Sequence, residues 1–85
     1  MHKFLFTKYS HSLFIELEPS VKERIEQKLK WLKNHPKILS ILRPLKSYEP
    51  ASYRLRVGNY RLIIHQESKN KFTVVDIGHR KNIYK

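Results

Sequence analysis

Cysteine is missing from the chain altogether. Disulfides and thiolate metal sites are therefore excluded, and a reducing, cytoplasmic setting is the expectation. Long hydrophobic runs are missing too. Apolar stretches such as Leu13-Phe14-Ile15 are only a few residues long, so neither a membrane span nor a signal-peptide core is expected. No internal repeat and no low-complexity segment occurs. His2, His11, His35, His65 and His79 stand at no ligand spacing, which argues against a metal site. There is no G-x-S-x-G elbow to present a serine nucleophile. No cofactor is expected.

Negative charge is the scarcest property. Seven Asp and Glu face 18 Lys and Arg, a net charge of +11 with His neutral. Self-repulsion at that level destabilises a folded chain, and a polyanionic partner relieves it. Nucleic acid is the leading candidate. An anionic membrane surface fits less well, because no helix combines a basic face with a broad apolar one. An acidic protein is a further option, and a merely soluble basic protein is the plain alternative.

What remains is enough for one small domain spanning residues 1–85. With 40% apolar residues and 12% aromatics the chain can fold around a single core. Residues 3–7 read as a strand. Residues 10–18 allow a short helix with Ser10 as cap and Leu13, Phe14 and Leu17 on one face. Pro19 suits the first turn of a second helix. There Val21, Ile25, Leu29 and Leu32 recur at helical spacing up to residue 34, with Trp31 on their flank. His35-Pro36 ends it. Residues 37–52 form a connector with a helical turn. Strands follow at about 53–57, 60–66 and 71–77. The expected fold is α+β, a small antiparallel sheet of about four strands with two N-terminal helices on one face.

The hairpin YRLRVGNYRLIIH, residues 53–65, carries the functional signal. Its apolar and polar residues alternate on both sides of Gly58-Asn59, as in two half-buried strands joined by a two-residue turn. That turn sets Arg56 opposite Arg61. One face then holds Tyr53, Leu55, Val57, Tyr60, Leu62 and Ile64. The other holds Arg54, Arg56, Arg61, Ile63 and His65. Opposed like charges destabilise a sheet, and a local choice that breaks a folding rule points to function. Forked guanidinium donors suit phosphate oxygens. A solvated strand face whose charges discourage edge pairing is the plainer reading. His79, Arg80 and Tyr84 follow the last strand. If that strand lies beside residues 60–66, its end can turn toward the arginines. A tyrosine ring can stack on a base, and histidine titrates near neutral pH.

The stretches LRPLKSYEPASYRLRVGNYRLII and VVDIGHRKNIYK together resemble the RelE/ParE superfamily of toxins, on the RelE side. The order of elements matches over essentially the whole chain. The resemblance implies a RelE-like fold and the toxin half of a type II toxin–antitoxin pair. It implies an endoribonuclease (mRNA interferase) that cuts mRNA in the ribosomal A site. The cut is made without metal, by attack of a ribose 2′-oxygen on the next phosphate. The implied partners are a cognate antitoxin, the ribosome and mRNA. The resemblance also assigns roles. Arg54 and Arg56 meet the RNA backbone, and Arg61 holds the scissile phosphate. Arg80 lies near the leaving oxygen, Tyr84 stacks on or orients the substrate, and His79 matches a histidine of many relatives. Some relatives have lysine where Arg54 and Arg56 stand. Arginine stays protonated and cannot act as base. Three routes remain open: proton transfer by His79, chemistry supplied by the ribosome, or catalysis by alignment and charge stabilisation alone. Two rival functions also remain open, a ParE-like inhibitor of DNA gyrase and a non-catalytic module that binds RNA or antitoxin.

Overall fold

A computed structural model describes residues 1–45 and 52–81. The chain runs β1 (Lys3–Phe6), α1 (Lys8–Ile15), α2 (Pro19–Lys33), α3 (Ile38–Ile41), β2 (Arg43–Pro44), β3 (Ser52–Val57), β4 (Tyr60–Ser68) and β5 (Lys71–His79). The five strands form one sheet in the order β1-β5-β4-β3-β2. The α+β class is as expected, but the sheet is mixed. β1 runs parallel to β5, and two-residue β2 supplies the fifth strand.

Local chemistry explains the helices. Thr7 caps α1, its Oγ1 accepting from the Ser10 amide at 3.0 Å. Ser10, expected to be the cap, lies inside the helix instead. Its hydroxyl is buried and donates to the Val74 carbonyl at 2.6 Å, tying α1 to the middle of the sheet. Pro19 opens α2. Ile25, Leu29 and Leu32 from α2 and Ile38 from α3 form the helical side of the core, with Leu42 just after α3. Leu55, Val57, Leu62, Ile64, Phe72, Val74 and Ile77 form the sheet side. Each fully buried side chain of this size contributes about 1.5–3 kcal/mol. That burial holds the helices to one face. Trp31 does not cover the flank of this stripe closely; it remains 49% exposed.

The register between strands decides what each face carries. Val57 pairs with Tyr60, Arg56 with Arg61 and Tyr53 with Ile64, as the two-residue turn requires. Along β4 and β5, Ile63 pairs with Asp76 but Ile64 pairs with Val74. Val75 is therefore the extra residue of a bulge. Strict alternation from Phe72 and Val74 would drive Asp76 into the core. The bulge turns Asp76 to the other face and brings Ile77 in.

Gly58 sits at φ +59°, and a Cβ there would lie 3.0 Å from an Arg24 guanidinium nitrogen. Gly58→Ala should cost about 1–2 kcal/mol from the left-handed backbone, with Arg24 shifting aside. Urea denaturation measures this as a lower midpoint at unchanged slope. An unchanged midpoint would mean that Gly58 does not hold this conformation.

Candidate nucleic-acid interface

Two rows of residues cross the face opposite the helices. Arg43, Arg54, Ile63 and Asp76 are paired in turn across β2, β3, β4 and β5. One step toward the hairpin loop, Arg56, Arg61 and Gly78 are paired across β3, β4 and β5. Paired residues share a face. The expected trio of arginines is thus brought together, and a fourth joins it. Arg43 stands opposite Arg54, so like charges oppose each other twice. The sequence pattern places Arg43 in the connector. Its signal is the following proline, which suits an edge strand.

The face is not uniformly open. Ile63 is 1% exposed and Arg61 7%. The Arg61 Nη1 donates to the Tyr60 carbonyl at 3.1 Å and to the Gly58 carbonyl at 3.4 Å. The hairpin loop therefore orients this guanidinium. Arg56 is exposed and Arg54 half-buried. Neither these two nor Arg43 makes a hydrogen bond or ion pair with a described side chain.

A cleft of about 250 Å³ lies at the edge of β3, lined by Lys28, Ile41, Arg43, Arg54, Leu55, Arg56 and Arg61. β2 pairs only with Tyr53 and Arg54, so residues 55–57 remain at the sheet edge where α2 and α3 approach. Lys28 enters from α2, and nothing in its helical spacing marks it for the cleft. The five cations leave Ile41 and Leu55 as the neutral lining residues. Such a cleft attracts anions and presents several forked donors to a phosphate chain.

The tail residues divide. β5 does lie beside β4, the condition for their joining the arginines. The residue opposite Arg61, however, is Gly78. His79 pairs with Tyr60, whose side chain belongs to the helix side, and their rings meet edge to face at 5.5 Å. His79 therefore stands on the other face from Arg61. Its Nδ1 accepts from the Lys81 amide at 3.3 Å. The Arg80 amide donates to the Asn59 carbonyl at 2.8 Å, which anchors exposed Arg80 beside the hairpin loop. Tyr84 lies outside the described residues. Asp76, turned out of the core by the bulge at Val75, shares the arginine face. Its Oδ1 accepts from the Ile77 amide at 2.8 Å.

This fold recurs in toxins. A chain of the RelB–RelE antitoxin–toxin complex from Methanococcus jannaschii is similar, with TM-score 0.73 and 27% identity over 94% of both chains. A chain of the RelBE2 toxin–antitoxin complex from Mycobacterium tuberculosis has TM-score 0.77 at 19% identity, covering 95% of this chain and 93% of that one. The isolated RelE toxin of E. coli has TM-score 0.74 at 21% identity, over 93% and 84%. No curated protein matches the sequence. The class is therefore a RelE-like α+β toxin fold. The family model for the ParE toxin of type II toxin–antitoxin systems, parDE, matches residues 8–84. The chain belongs to that family, within the RelE/ParE superfamily of type II toxins.

The opposed arginines lead to a measurable trade. Arg56→Thr should raise stability by about 0.2–1 kcal/mol, because a like-charge cross-strand pair is replaced by a good strand former. The same change should weaken binding to a single-stranded oligonucleotide. Thermal denaturation and a binding titration on one preparation check both directions.

Proposed function

We propose that this toxin is a ribosome-dependent mRNA endonuclease restrained by a cognate antitoxin. The observation that carries the reading is the cleft where Arg43, Arg54, Arg56 and Arg61 converge with Lys28. A phosphodiester chain is the ligand that such a set of forked donors fits. Similarity to RelE structures supports the ribonuclease side, and the complexes among them support an antitoxin partner. An acidic peptide on a chain of +11 would neutralise the same face.

In this reading Arg54 and Arg56 grip the RNA backbone and Arg61 holds the scissile phosphate. The ribose 2′-oxygen attacks the adjacent phosphorus, and the bond to the 5′-oxygen breaks. The 2′-hydroxyl gives up a proton, and the leaving oxygen takes one from solvent or from a donor beside it. Negative charge builds on the phosphoryl oxygens as the new bond forms. The Arg61 guanidinium, held by the hairpin loop, would meet that charge with little reorganisation. The nucleophile is part of the substrate, so alignment supplies much of the acceleration. His79 on the Tyr60 face favours alignment and charge stabilisation over His79 as base. Arg80 and Tyr84 keep the roles that the superfamily resemblance implies, at the leaving oxygen and on the substrate base.

The test uses purified protein with mRNA-programmed ribosomes, beside naked mRNA, and maps new ends by primer extension. A cut inside the A-site codon, only with ribosomes, is expected. Arg61→Ala should slow it about 100- to 1,000-fold, as for loss of one preorganised donor. Arg61 also braces the hairpin loop, so Arg54→Ala is run beside it. His79→Ala should cost far less than Arg61→Ala. Ribosome binding without a cut would overturn the reading. Inhibition of DNA gyrase, to which the ParE family assignment points, would then be the next activity to assay.

A further inference from the structure

The exposed tryptophan has no part in the cleft just described. Trp31 lies on α2, 49% exposed, on the side that meets the hairpin loop. Arg24, Gln27, Lys28 and Trp31 follow one another at helical spacing and share one stripe. With Val57 and Gly58 they line an open hollow of about 380 Å³. The Lys28 Nζ stands 4.8 Å above the indole ring. The His35 ring meets the indole edge to face at 4.9 Å and steadies it. The Arg24 guanidinium lies over the hairpin turn. Among the described residues no carboxylate lines this hollow. The nearest by hydrogen bonding is Glu23, which accepts from Gln27 Nε2 at 3.3 Å.

Lys28 lines both this hollow and the arginine cleft. Positive charge is therefore continuous from the sheet face, over the β3 edge, to α2. A half-exposed indole with two cations beside it on the same helical stripe is suited to a nucleotide. The base lies against the ring, and the phosphate is met by Arg24 and by Lys28, whose flexible side chain can leave the ring for it. We propose that Trp31, Arg24 and Lys28 form a second nucleotide-binding subsite, which takes an unstacked base of a single-stranded RNA whose backbone continues into the arginine cleft. The inference rests on the reading of that cleft as an RNA site, but it concerns binding and not cleavage. An acidic peptide is the less fitting occupant, because it offers the indole no flat partner.

Trp31 is the single tryptophan, so its fluorescence reports on the subsite directly. The probe is a hexa-adenylate with every 2′-hydroxyl methylated, which cannot be cut by 2′-oxygen attack. Saturable quenching of Trp31 is expected, and poly-glutamate of equal charge should leave the emission nearly unchanged. Binding by the variants is followed through anisotropy of an end-labelled probe. Trp31→Ala should weaken binding about 5- to 150-fold, as for loss of one stacked base, with the salt dependence unchanged. Trp31→Phe should recover most of it. Arg24→Ala and Lys28→Ala should each reduce the salt slope by about 0.7. Absence of quenching, equal quenching by poly-glutamate, or wild-type affinity in Trp31→Ala would each overturn the proposal. If Arg54→Ala loses the probe while Trp31→Ala keeps it, the subsite falls and the arginine cleft stands. A ribosome assay without a cut, beside normal quenching and normal Trp31→Ala loss, sinks the nuclease and leaves the subsite.

Discussion

Gly58 and Asn59 close a two-residue turn, and the register they impose on β3 and β4 governs everything the protein presents. A slip of one residue would exchange the two faces of a strand. Arginines would enter the core, and Leu55 or Leu62 would leave it for the arginine face. The turn is held on both sides. Arg24 leans over Gly58 from α2, and Arg61 donates to the carbonyls of Gly58 and Tyr60. Fold and candidate site thus share one constraint. Arg61 serves both, as a brace for the loop and as a member of the cationic wall.

That register has an electrostatic cost. Arg56 faces Arg61, and Arg43 faces Arg54. Folding alone does not ask for this, and Thr or Glu would serve a strand better at either place. The core opposite is apolar and closely filled, from Ile25 and Leu32 on α2 to Phe72 and Val74 on β5. Burial on one face sustains repulsion on the other. An anion laid across the arginines would relieve that repulsion, so binding and stability should rise together.

The two cationic hollows give this economy a direction. One lies at the edge of β3, where short β2 stops pairing. The other lies on the exposed side of α2, and Lys28 lines both. Had β2 been longer, it would have covered residues 55–57 and separated the two surfaces. The brevity of an edge strand, usually a device against aggregation, here leaves the two cationic hollows joined at Lys28.

The sequence by itself determined the hairpin, its pairing and its arginine face. These rest on alternation and turn chemistry, which are local. It determined α2 for the same reason, since Ile25, Leu29 and Leu32 repeat at helical spacing. One of the two superfamily motifs, LRPLKSYEPASYRLRVGNYRLII, contains the same hairpin. Tertiary structure alone decided the rest. Arg43 joined the cleft because two residues of the connector pair with β3, and no periodicity can appear in so short a strand. Asp76 came to share the arginine face, and His79 to leave it, because a bulge at Val75 shifts the phase of β5, and a bulge is chosen by packing across the sheet. Ser10 left the capping position to Thr7 because Val74, 64 residues away, offered its hydroxyl a buried carbonyl. Each of these outcomes depends on a partner distant in the chain, which is why nearby residues could not announce it.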